Sequence, residues 1–158
     1  MTEKPETSEK SEKPLNVGAV KASAKGGIFR LTEMETMKAG ESYSSAVGPI
    51  VEGERTQVGL MKKAKGTGAH LHSHPNEQWN YIVQGKLRVT IGDQTEIAGP
   101  GALLYFPPNV QHATVALPEE DVFFFVVKDL THGIHGIPAE GQPRGAYYEP
   151  GYEPGDKD

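Results

Sequence analysis

The strongest constraint on this chain is its punctuation. Six short runs, Gln57 to Lys63, Gln78 to Val83, Lys86 to Ile91, Ala102 to Phe106, His112 to Leu117 and Val122 to Lys128, are rich in Val, Ile, Leu, Phe, Tyr and Trp, the side chains that suit a half-buried pleated surface. Between them stand Gly85, Gly92-Asp93, Gly99-Pro100-Gly101, Pro107-Pro108-Asn109 and Pro118-Glu119-Glu120. Each is a turn signal, either tolerating positive φ or fixing φ while withholding an N–H donor. Regular spacing of this kind predicts an all-β antiparallel sandwich or barrel. Helix is confined to Leu31 to Met37 (LTEMETM), long enough for two turns with Thr32 as cap.

At 158 residues the chain suffices for one domain with its own core. With no cysteine, disulfides, thiolate metal sites and thiol nucleophiles are excluded, and any metal must be held by nitrogen and oxygen donors. A net charge of -5 without a dense Lys/Arg cluster argues against nucleic acid or an anionic membrane as partner and leaves a small molecule as the expected one. The first residues, MTEKPETSEKSEKP, have no apolar h-region, and the longest apolar run, VFFFVV at Val122 to Val127, is too short to span a bilayer. The expected location is cytoplasmic. Residues 1–14 hold almost no apolar side chain and are expected to be a disordered tail. Residues 138–158 form a Gly- and Pro-rich C-terminal arm carrying Tyr147, Tyr148 and Tyr152, either a loose end or an arm whose tyrosines pack on the domain or on a second subunit. The expected domain is residues 15–137.

Three of the six histidines, His70, His72 and His74, stand at alternate positions. In an extended strand residues two apart face one side, so either His70 with His72 or His72 with His74 can aim two imidazoles at one point. Gln78, four residues on, can bring an amide oxygen to the same place. His112 opens a later strand and supplies an imidazole from another part of the fold.

These residues sit in a pattern that resembles the cupin family. Its first motif, G-x5-H-x-H-x3/4-E-x6-G, is met by Gly66, His72, His74 and Gly85, with Gln78 at the Glu position; its second, G-x5-P-x-G-x2-H-x3-N, is met by Gly101, Pro107 and His112. The resemblance covers roughly residues 55–128 and implies a double-stranded β-helix, or jelly-roll barrel, with little helix. It also implies that His72, His74, Gln78 and His112 ligate one divalent transition metal ion, Fe, Mn, Ni, Co or Zn. Asn109 replaces a motif Gly, a substitution Asn tolerates because it accepts the left-handed conformation. Ala116 replaces the final Asn. Glu77 is the rival to Gln78, but strand parity turns it away from the side that Gln78 shares with Asn80 and Ile82.

Replacing Glu by Gln leaves the full charge of the ion uncancelled, which strengthens it as a Lewis acid. Cupins with three His and one Gln are similar to non-redox catalysts acting on uronates or cyanohydrins. The implied function is therefore a metal-dependent enzyme that chelates a carbonyl, enol or hydroxy acid and acts as a lyase or isomerase. The alternatives are a non-haem Fe(II) dioxygenase of a diketone, enol or phenol, and a non-catalytic small-molecule-binding module. His70 and Tyr105 are the candidates for a catalytic base. Trp79, Tyr81, Tyr105, Phe106 and Phe123 to Phe125 read as core and subunit-interface residues, His132 and His135 as an exposed loop, and Lys86 and Arg88 as a solvated face. Cupins usually pair as homodimers through sheet edges, and Leu15 to Val58 is expected to provide edge or swapped strands.

Overall fold

The computed structural model describes residues 13–155. Of the tail expected at residues 1–14, positions 1–12 lie outside the described residues, as do the last three of the C-terminal arm. In chain order the strands are β1 (Val20–Lys21), β2 (Met37–Lys38), β3 (Val47–Gly48), β4 (Ile50–Glu52), β5 (Thr56–Lys63), β6 (Thr67–Gly68), β7 (His72–Ser73) and β8 (Gln78–Gln84), followed by β9 (Leu87–Ile91), β10 (Gln94–Ala98), β11 (Leu103–Phe106), β12 (His112–Ala116), β13 (Val122–Asp129), β14 (Ile137–Pro138) and β15 (Tyr147–Tyr148).

They form two sheets. One runs β1-β4-β5-β13-β8-β11, with β3 also on β5 and β2 on β3; the other runs β10-β9-β12-β6-β15, with β7 also on β12 and β14 on β7. From β5 onward the chain crosses repeatedly between them: β5, β8, β11 and β13 belong to the first sheet, while β6, β7, β9, β10 and β12 belong to the second. That winding is a jelly roll, and every pairing is antiparallel except β1 with β4. The inward faces share one apolar core, in which Ile82, Leu87, Phe106, Ala116 and Val122 have no exposed surface.

All six runs picked out in the sequence are strands, with ends displaced by one residue at most. The apolar run at Val122 to Val127 lies in β13, which has β5 on one side and β8 on the other. Its Val122, Phe124 and Val126 turn to the core, while Phe123, Phe125 and Val127 are half-buried on the outer face, so both phases of the strand are apolar. By contrast β10 (QTEIA) has one partner, β9, and four of its five residues are exposed. It lacks apolar alternation because it has no buried face to alternate with, and its position follows from the Gly92-Asp93 turn.

The two-turn helix does not form. Only a single 3-10 turn, Leu31–Glu33, is present, with Arg30 at its N-cap and no side-chain capping bond; Thr32 lies inside it. Met34 is already extended at φ -96 and ψ 158, and Met37 pairs with Gly48 in β2–β3. A sheet edge outcompetes a segment too short to hold a helix alone. Asn109 has φ 65, the only positive value outside glycine among the described residues, as its substitution for the motif Gly requires. Among the described residues no helix is long and apolar enough to cross a membrane.

Candidate metal centre

The second sheet brings the histidines together. His112 opens β12 and pairs directly with His72 in β7, and the backbone N–H of Asn109, in the tight turn before β12, donates to the carbonyl of His74 at 2.8 Å. Each imidazole is held by one nitrogen. Nδ1 of His72 lies 2.8 Å from the carbonyl of His70, Nδ1 of His74 is 3.1 Å from that of Asn76, and Nδ1 of His112 is 3.0 Å from that of Val110. A carbonyl accepts only, so all three carry the proton on Nδ1 and leave Nε2 as a lone-pair donor. One ring nitrogen from each residue lies within 4.8 Å of the others.

All three rings are buried. Tyr43 stacks on His72 at 3.9 Å and Phe106 lies 4.5 Å from His112, so both sides of the cluster are walled by aromatic surface. Burial holds the imidazoles neutral: it lowers His72 far below the ordinary histidine range, His74 to about 4 and His112 to about 3. Nε2 of His74 is buried and has no hydrogen-bond partner. A buried nitrogen lone pair left unmatched is costly, and a cation at the centre of the three rings would satisfy it. No thiol or carboxylate competes. The donor set fits a borderline first-row metal ion.

Gln78 lines the same cavity as the histidines. Its Nε2 donates to Oδ1 of Asn80 at 2.9 Å, which fixes which end of the amide is spent and leaves the carbonyl oxygen free. Glu77 points the other way, as parity requires. It is exposed, and its Oε1 accepts from the hydroxyl of Tyr105 at 2.8 Å.

The two expected bases are not at the cavity. The strand breaks between Gly68 and His72, so the parity that would have aligned His70 with His72 is lost, and the His70 ring packs edge-on against Tyr147 at 5.4 Å. Tyr105 faces outward from β11, 4.5 Å from Trp79, because Leu104 and Phe106 take the inward phase of that strand. His132 and His135 are exposed and join no cluster of metal-ligating side chains among the described residues.

Three cavity residues went unnoticed in the sequence: Tyr43, Lys63 and Lys128. The hydroxyl of Tyr43 accepts from the N–H of Gly136 at 3.0 Å and closes the 130–136 loop over the cavity; burial pushes it up to about 12. Both lysines had a legible sign. Lys63 is in phase with the inward Gln57, Gly59 and Met61, and Lys128 with Val122 and Phe124. A lysine in the apolar phase of a strand is a buried cation.

A family model for the cupin domain matches residues 59–128. Residues 59–128 are a cupin domain. Within it or at its rim lie all three histidines, Gln78 and both lysines. The chain is 35% identical over 106 residues, 64% of its length, to the oxalate decarboxylase OxdC of Bacillus subtilis, of which it spans 28%. It is 27% identical over 84 residues to an uncharacterised protein of Streptomyces coelicolor, covering 53% of this chain and 78% of that one. The cupin fold is shared with KdgF from Halomonas sp., at 22% identity and a TM-score of 0.59 over 68% of this chain and 96% of that one. It is shared too with the polyketide cyclase RemF from Streptomyces resistomycificus, at 17% identity and a TM-score of 0.64 over 74% and 89%.

Proposed function

We propose that His72, His74, Gln78 and His112 hold one divalent transition metal ion, Fe, Mn, Ni, Co or Zn, and that the cupin domain is an enzyme acting on a small oxygen-bearing organic substrate by lyase- or isomerase-type chemistry. One observation carries this reading: three buried imidazoles, each with Nδ1 spent on a carbonyl, converge with Nε2 free, and that of His74 has no partner at all. A bound ion would supply Lewis-acid polarisation of a carbonyl, enol or hydroxyl oxygen.

The chain's own residues do the rest. Gln78 contributes a neutral oxygen, so the site keeps its positive charge for a substrate oxygen. Asn80 holds the Gln78 amide in one orientation. Tyr43 and Phe106 exclude water from the ring faces, which strengthens every electrostatic contact inside. The relative named as an oxalate decarboxylase supports the lyase class.

The test is elemental analysis by mass spectrometry of untagged protein beside His112→Ala. The expected result is about one equivalent of a single transition metal in the wild type, lost in the variant. Iron together with substrate-dependent oxygen uptake would move the chemistry to a dioxygenase, and no metal after reconstitution would leave a binding module.

A further inference from the structure

The cavity that holds the histidines also holds two ammonium groups that the metal reading does not use. Lys63 is 4% exposed and Lys128 is 6% exposed, and both line the cavity. Full burial of a lysine ordinarily requires a carboxylate partner, yet no Asp or Glu lines this cavity, and neither lysine is in any ion pair among the described residues. The nearby acids are spent elsewhere. Glu52, itself buried, accepts from the backbone N–H groups of Leu15 and Asn16 and from the Asn16 amide. Asp129, next to Lys128 in the chain, accepts from the backbone of Glu77 and Thr131 and from the Thr131 hydroxyl.

An ammonium has three N–H donors. Lys63 uses two on Thr114, one on the hydroxyl at 2.6 Å and one on the carbonyl at 2.9 Å. Lys128 uses one, on the carbonyl of Ile134 at a long 3.3 Å, and keeps two. Their positions are set by register. Lys128 is the direct cross-strand partner of Gln78 on β8, so the two side chains rise from the same face, side by side. Lys63 is opposite Val122, six residues away along β13, and its ammonium rests on Thr114, two residues past His112. The imidazole cluster thus shares an anion-free cavity with two lysine amines, and burial without a counter-charge pushes Lys63 down to about 7 and Lys128 to about 8.

We infer that the ligand of this cavity is a small organic carboxylate, held through the two unspent N–H groups of Lys128 beside Gln78, with Lys63 supplying a second positive charge from the other end. The inference rests on the histidine cavity being the binding site of the proposed function, but it does not need the metal. A neutral ligand would leave both amines buried without counter-charge, where burial favours loss of their protons. A carboxylate removes that cost and accepts hydrogen bonds from the donors that remain.

The test uses acetate, malonate and succinate against their neutral amides, by thermal shift and calorimetric titration of the full chain in chloride-free buffer. At least one carboxylate should raise the melting temperature while its amide does not. Lys128→Met should weaken that carboxylate by about tenfold or more, and Lys62→Met, at the half-buried, outward-facing neighbour of Lys63, should leave it unchanged. Should Lys128→Met fail to fold, Lys128→Arg, which keeps the charge, should still prefer the carboxylate to the amide. Equal binding of amide and acid, undiminished binding by Lys128→Met, or no stabilisation by any of the three carboxylates would overturn the inference. Binding lost in His112→Ala but kept in Lys128→Met would also overturn it, by placing the carboxylate on the metal alone. Lys128-dependent binding in a protein that takes up no metal would instead uphold it while removing the proposed metal function.

Discussion

In the proposed metal site, Gln78 sets how much of the ion's charge the ligands cancel. Gln78→Glu would place a full negative charge beside the three imidazoles, and we expect it to tighten metal binding by roughly tenfold or more, read by competition with a chelator, because that charge outweighs its own desolvation next to a cation. Asn109 is a second decisive position. At φ 65 it stands where β-branched residues are strained, so Asn109→Val should cost about 1–2 kcal/mol in urea unfolding and Asn109→Gly close to nothing. The His74–Asn109 backbone bond makes the Val variant weaken metal retention as well. Spacing made His72, His74, His112 and Gln78 legible. It misplaced His70 because parity arguments assume an unbroken strand, and Leu71 is a bend between β6 and β7.

At the level of elements, the barrel is closed by segments whose sequence gives little warning of their role. Asn16 joins three of them: its amide donates to Glu52 at 2.8 Å and Gln57 at 2.7 Å, and its oxygen accepts from Ile134 at 2.8 Å. Asn16→Ala should cost about 2–3 kcal/mol, measured by denaturant unfolding, since it strands the buried Gln57 amide oxygen and the buried Ile134 N–H, while Glu52 keeps its backbone donors. The C-terminal arm packs on its own domain. Tyr147 and Tyr148 pair with β6, Glu149 accepts from Arg88 at 2.7 Å, and Tyr152 lies over Gly66. A Cβ on Gly66 would run into the Tyr152 ring, and its φ of +75 is already left-handed, so Gly66→Ala should release the arm to limited proteolysis. The Arg88 guanidinium holds the Glu149 carboxyl below its ordinary value of 4.5. A depressed carboxyl tethers the arm above that pH and lets go as pH falls below it, so acid should expose the same cleavage sites.

Across the whole molecule, the outer face of the first sheet is apolar. Trp79, Tyr81 and Val83 on β8 and Leu103 and Tyr105 on the edge strand β11 are each 37% to 59% exposed, and Tyr105 pairs with Trp79 and Leu103 with Tyr81. Phe125 and Val127 continue the patch across β13. Contiguous apolar surface beside an open edge is what association covers, and we propose this face, in place of the Leu15 to Val58 strands expected from sequence, as the contact of a homodimer: sedimentation should give a dimer, and Tyr81→Glu a monomer. By itself the sequence determined the all-β class, the six principal strands and the residues of both cupin motifs, because turn chemistry and side-chain period act locally and leave their mark residue by residue. Only the tertiary structure decided that Lys63 and Lys128 share the histidines' cavity, that His70 and Tyr105 do not, and that the tyrosine arm folds back on its own barrel. Those outcomes depend on which strands lie side by side and where a strand breaks, quantities set by pairing between residues far apart in the chain.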